Sequence, residues 1–167
     1  MLLRGCRFVT LLLAALALTM TSAHVLEMPQ KMQYGAQLYS AVNTTLYRYF
    51  AVIGGVYTVG AIVSAFVLAF LVRRDRSTFR WTAGGALLLL AAFVSWLVLV
   101  QPVNRMVADA IASAPGSVPA VWAQQRTRWE YGHAVGFAFQ LLGLCALLAA
   151  VVRQTPPTDG ATPDPAR

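Results

Sequence analysis

Apolar residues fall into four long blocks, residues 8–23, 50–72, 81–100 and 134–152, separated by more polar stretches. The last three are close to the roughly 20 residues that an α-helix needs to cross about 30 Å of hydrocarbon. The first reaches that length by running on through His24, Val25 and Leu26. The pattern predicts an all-α, integral membrane four-helix bundle with spans at about 8–26, 50–72, 81–100 and 134–152. Residues 1–153 then form one membrane domain, and the proline-rich tail 154–167 reads as disordered.

The segments between the blocks are patterned too. In 24–49, Leu38, Val42, Leu46 and Tyr49 recur at helical spacing, which predicts a short helix at the membrane surface. Tyr34, Tyr39, Tyr47 and Tyr49 suit that depth, where aromatic rings with a polar edge collect. In the second span, Gly60 and Ser64 at a spacing of four predict close approach of a neighbouring helix. Residues 73–80 form a tight turn that forces an antiparallel pair. Pro102 predicts that the third span ends or kinks there, with Asn104 turned back to bond freed carbonyls. A weak amphipathic piece from Met106 to Ile111 precedes a break at Pro115, Gly116 and Pro119. From Ala120 the period returns: Trp122, Arg126, Trp129 and His133 continue inward as Gly136, Gln140 and Gly143. One helix over about 120–153, projecting from the membrane at its start, accounts for the stripe.

Composition agrees with the spans: 58% of residues are hydrophobic and 11% charged, against about 25% charged in soluble domains. The net charge of +7 is a matter of topology. Arg4 and Arg7 precede the first block, Arg73, Arg74, Arg76 and Arg80 fill one short turn, and Arg153 follows the last block. That excess predicts a multi-pass protein of the cell membrane with both termini cytoplasmic, partnered by lipid, and it argues against nucleic-acid binding. Lys31 and Arg48 then belong to an outer loop, partly offset by Glu27. A second reading of the start stays open, because Thr21, Ser22 and Ala23 after an apolar run resemble a signal cleavage site. Cys6 and Cys145 lie at different depths and predict no disulfide.

The chemistry-bearing residues gather at one end. His24 and Glu27 close the first block, and Glu130 and His133 open the last, each pair three residues apart and so on one helix face. Ionisable groups at lipid depth usually face the bundle interior and carry function. Four readings are open, one of them transport or partner binding. Arg126 and Glu130 can neutralise each other, with all four residues a structural polar cap. Two His and two Glu can hold a single metal, although spans two and three add no carboxylate for a di-metal centre. Imidazole and carboxylate can also act as a general base and its orienting partner, with Tyr39, Asn104, Arg128 and Trp129 supplying hydrogen bonds and an aromatic wall.

The string from Ala23 to Lys31, then Tyr47-Arg48, Pro102-Val103-Asn104 and Arg128-Trp129-Glu130-Tyr131-Gly132-His133-Ala134, resembles the anthrone oxygenase-like family of small four-helix membrane proteins. The likeness runs from about residue 12 to 152. Most members have no assigned function; the namesakes oxidise the activated methylene of polycyclic anthrones to quinones, chemistry taken to need neither metal nor flavin. On that resemblance Asn104, Arg128, Trp129 and His133 match the motif, and His24 and Glu27 match its bacterial branch. It implies a small apolar aromatic ligand, O₂ as oxidant and no cofactor. His133 would be the base, Glu130 or Glu27 its partner, and Arg128 with Asn104 the enolate site.

Overall fold

A computed structural model describes residues 1–47 and 49–154. Arg48 and the tail 155–167 lie outside the described residues, and with them most of the segment expected to be disordered. The fold is all-α: α1 (Leu2–Lys31), α2 (Ala36–Thr45), α3 (Phe50–Val72), α4 (Arg76–Ser95), α5 (Gln101–Ser113) and α6 (Val118–Val152). Four stretches are long and apolar enough to cross a membrane: Leu2–Lys31, Phe50–Val72, Arg76–Ser113 and Pro115–Val152. They pack in a ring, α1 on α3, α3 on α4, α4 on α6 and α6 back on α1.

The bundle is small inside and large outside. Ala14, Ala61, Ala65, Ala86, Leu89 and Leu147 form the core beside the basic end. Val52, Val56, Val63, Phe66 and Phe70 of α3 point outward. In lipid, outward apolar side chains cost nothing and helices associate through small residues that let backbones approach. Gly85 and Gly143 do this for α4 and α6. A Cβ at Gly85 would stand 2.8 Å from Leu147 Cγ and 3.0 Å from the Gly143 carbonyl oxygen. Gly60 meets Leu13 of α1, as the small-residue spacing predicted, but Ser64 turns its hydroxyl to its own helix at Ala61.

Two boundaries differ from the sequence reading. α1 does not stop near residue 26; it runs on to Lys31 with Pro29 in its last turn, where the proline has no N–H to give the carbonyl of Val25. The third span does not end at Pro102. A π-turn over Trp96–Val100 leads straight into α5, so the helix continues to Ser113. Pro102 has no N–H for the carbonyl of Val98, and widening the helix just before it accommodates the missing bond. The break at Pro115 is real, a single 3₁₀ turn over Pro115–Ser117 before α6. α2 forms where expected, but its buried face is Tyr39, Ser40 and Asn43. Leu38, Leu46 and Tyr49 face out, as an apolar stripe does when the surroundings are hydrocarbon.

At the basic end, Gln154 stitches the helices together. It accepts a hydrogen bond from Arg7 of α1 and donates to the Asp75 carboxylate at 3.0 Å. Asp75 caps α4, accepting from the backbone N–H groups of Ser77 and Thr78 at 3.0 and 3.2 Å. Gln154 is therefore part of the ordered domain rather than the start of the tail.

Candidate functional site

At the opposite, aromatic end, α1 and α6 bring His24 and His133 face to face. Their ring centroids are 4.1 Å apart with planes tilted by 31°. Trp129 stands edge-on to both, 4.9 Å from His24 and 4.4 Å from His133. Tyr47, from the turn between α2 and α3, closes the other side at 4.4 Å from His24. The α6 stripe makes this possible, since Trp129, His133, Gly136 and Gln140 recur every three or four residues and all are buried.

Beside these rings lies a cavity of about 470 Å³, walled by α1, α3, the end of α4, the π-turn, α5 and α6, with α2 contributing Asn43 and Thr44. That volume lies within the range of small-molecule sites. Most of its wall is apolar or aromatic, including Phe50, Phe93, Trp96 and Val107. Gly54, Gly55 and Gly136 leave room where side chains would fill it. Its polar atoms are notable for what they lack. His24 Nδ1, His133 Nδ1, the Tyr47 hydroxyl, Asn43 Oδ1 and Trp122 Nε1 are buried without a hydrogen-bond partner among the described residues, and every one belongs to a lining residue. Each such atom costs about 1–3 kcal/mol when left unsatisfied. Donors (Tyr47, Trp122) and acceptors (Asn43, imidazole) together fit a ligand carrying both a carbonyl and an acidic proton.

Glu130 belongs to a second layer behind the rings. Its Oε1 takes a salt bridge from Lys31 Nζ at 2.9 Å and a hydrogen bond from the Tyr39 hydroxyl at 2.8 Å. Lys31 is 2% exposed and Glu130 1%. The ammonium also sits 4.6 Å from the Tyr47 ring and 4.7 Å from the Trp129 ring. Burial, then the adjoining Glu130 carboxylate, hold the Tyr39 hydroxyl far above the ordinary tyrosine range. Arg126 donates to the Met32 carbonyl at 3.0 Å and lies over the Tyr39 ring. The Arg126–Glu130 pair does not form: Arg126 turns to Met32 and Tyr39, and Lys31 pairs with Glu130.

No family model, no curated protein and no solved structure matches this chain. The site therefore has to be read from its own geometry.

Of the residues singled out in the sequence, His24, His133, Trp129 and Asn104 line the cavity. Asn104 Oδ1 accepts from Trp129 Nε1 at 3.0 Å, fixing the indole rather than bonding freed carbonyls. Tyr39 and Glu130 stand outside the lining, in the second layer. Glu27 is exposed and does not line the cavity, although it lies close enough to Glu130 to act on it electrostatically. Arg128 is likewise exposed; it donates to the carbonyl of Val98 at 2.9 Å, the acceptor that Pro102 leaves without its usual donor. Among the described residues no group of three or more His, Cys, Asp or Glu comes together as a metal site. Tyr47, Asn43, Trp122 and Lys31 were the residues missed. Lys31 had a signal: Thr10, Ala17, His24 and Lys31 are buried at intervals of seven, one stripe of one helix.

Proposed function

We propose that this multi-pass membrane protein holds a flat, apolar aromatic compound with an acidic C–H or O–H in the cavity and takes that proton on the His24–His133 pair. The observation that carries the reading is the pair itself: two tilted imidazoles in contact, whose Nδ1 atoms have no hydrogen-bond partner among the described residues, on the wall of an apolar cavity. Lys31 and Tyr39, by contrast, both turn to Glu130 Oε1 rather than to the cavity. The resemblance to anthrone oxygenase-like proteins supports the same chemistry, in the cell membrane, with O₂ as oxidant.

The steps balance with O₂ alone. His133 removes one proton from a methylene set between aryl rings, and the charge moves to the carbonyl oxygen as an enolate. The Tyr47 and Trp122 donors favour that oxygen. The carbanion gives one electron to O₂, and the resulting radical and superoxide join at carbon as a peroxide, which takes up a proton. Loss of the second C–H proton breaks the O–O bond and expels hydroxide, protonated to water, leaving a quinone carbonyl. One oxygen atom ends in the product and one in water.

The test is O₂ uptake with anthrone by purified protein in detergent with chelator present. General-base removal lowers rates by about 10²–10⁴, so His133→Ala is expected nearly to abolish turnover, and His24→Ala to reduce it. Equal rates in wild type and both variants, with only the melting temperature changed, would return the imidazoles to a structural role.

A further inference from the structure

The basic end of the bundle carries a second concave site. Arg76, Arg80, Gly84 and Leu88 are spaced four apart and so form one face of α4; Ala146 and Arg153 face them from α6. Together with Ser77 and Trp81 they line an open groove of about 750 Å³. Twelve residues at 1.5 Å each make it about 18 Å long along α4. Its two halves differ in chemistry. One half holds three guanidinium groups and an indole, with Arg153 Cζ 5.1 Å from the Trp81 ring. The other is apolar, and its floor is Gly84, where an added Cβ would meet nothing within 4 Å.

Among the described residues no carboxylate pairs with these arginines. Among the described residues Lys31–Glu130 is the only salt bridge, and it lies at the opposite end of the bundle. Asp75, the nearest acid in sequence, is already held by Ser77, Thr78 and Gln154. A site with a cationic head, an indole at the boundary and an apolar channel running toward mid-bundle matches an amphiphile with an anionic head. Basic pockets between membrane helices take phosphate headgroups in this way, and planar guanidinium groups bind phosphate oxygens in pairs.

We infer that the groove between α4 and α6 binds one anionic phospholipid, its phosphate on Arg76, Arg80 and Arg153 and an acyl chain along Gly84, Leu88 and Ala146.

The full chain, purified in mild detergent, is incubated with phosphatidylglycerol or phosphatidylcholine, and retained lipid is counted by native mass spectrometry. Phosphatidylglycerol is expected to be retained at one per chain in preference to phosphatidylcholine. Each arginine near an anionic headgroup contributes about fivefold in affinity, so Arg80→Gln with Arg153→Gln is expected to weaken retention roughly 30-fold. Gly84→Leu meets no neighbour at its Cβ and leaves the fold intact, yet it fills the channel and is expected to weaken retention at least tenfold. Inorganic phosphate at millimolar concentration should not displace the lipid. Equal retention of the two lipids would overturn the inference. So would unchanged retention in both variants. Full displacement by inorganic phosphate with no effect of Gly84→Leu would make this a free-phosphate site and equally end the lipid assignment.

Discussion

Glu130→Gln separates the two layers of the aromatic end. The substitution keeps the shape and the oxygen that accepts from Tyr39 but removes the charge opposite Lys31, 2.9 Å away. Both groups are almost fully buried, so bulk water does not screen the loss. Stripping one partner from a buried ion pair costs about 3–5 kcal/mol, because the other charge is left uncompensated. At about 2–4 °C per kcal/mol for a domain of this size, the melting temperature in detergent should fall by roughly 6–20 °C. Replacing both partners, as Lys31→Met with Glu130→Gln, removes the stranded ammonium and should recover most of that fall. Thermal unfolding of the wild type, both single variants and the double variant completes the cycle. A double variant that melts as low as the sum of its singles, or a Glu130→Gln protein that melts like wild type, would refute the pairing. Ligand binding in the double variant should stay close to wild type, since neither residue lines the cavity. Were Glu130 the orienting partner of His133, binding and turnover would be lost and not recovered.

Other consequences are as specific. Hydrogen bonds from the Thr78 hydroxyl and backbone, then from Gln154, hold the Asp75 carboxyl below its ordinary value. Its contribution is therefore present above the ordinary carboxylate value of about 4 and is lost as pH falls through the lowered one, so Asp75→Asn should flatten the acid limb of melting temperature against pH. Gly85→Ala places a Cβ 2.8 Å from Leu147 Cγ and 3.0 Å from a backbone oxygen and should cost about 1–3 kcal/mol in unfolding experiments. Gly84→Ala, one residue away in open space, should stay within about 0.5 kcal/mol of wild type; equal losses at the two glycines would contradict the packing of α4 on α6. Arg128→Gln should lower the melting temperature modestly and leave ligand affinity unchanged, because Arg128 caps the Val98 carbonyl outside the cavity.

The spans were legible because lipid imposes a simple rule: about 20 apolar residues per crossing, with charge at the ends. The buried face of α6 was legible for the same reason, since Gln140 and His133 would be costly anywhere but inside. What the pattern hid was continuity. The first span read as closing near Leu26 and the third as ending or kinking at Pro102, yet α1 carries Pro29 in its last turn and a π-turn over Trp96–Val100 takes the third helix past Pro102. Ending α1 early made Lys31 a loop charge and left Glu130 free to be assigned to His133. Arg128 and Glu27 looked functional by proximity in sequence, but each sits about 100° or less from a buried neighbour and still faces out. Tyr47 stood out only as an interfacial aromatic and as part of the Tyr47-Arg48 string, because the turn that aims it at His24 has no periodicity of its own, and Asn43 carried no signal. In α2 the apolar stripe was visible and its direction was not, since lipid reverses the usual inside and outside.

The central claim is that the space beside His24 and His133 holds a flat aromatic molecule. Anthraquinone, which has no acidic methylene and cannot turn over, is a suitable probe, read by quenching of the fluorescence of Trp122 and Trp129 on the cavity wall. Gly55 lines the cavity, and a Cβ there would meet nothing within 4 Å, so Gly55→Leu fills the space without disturbing the bundle. Saturable quenching is predicted for the wild type, and Gly55→Leu should weaken it at least tenfold, about 1.4 kcal/mol. The same affinity in Gly55→Leu as in wild type, with its melting temperature unchanged, would show that the cavity is not where the ligand binds.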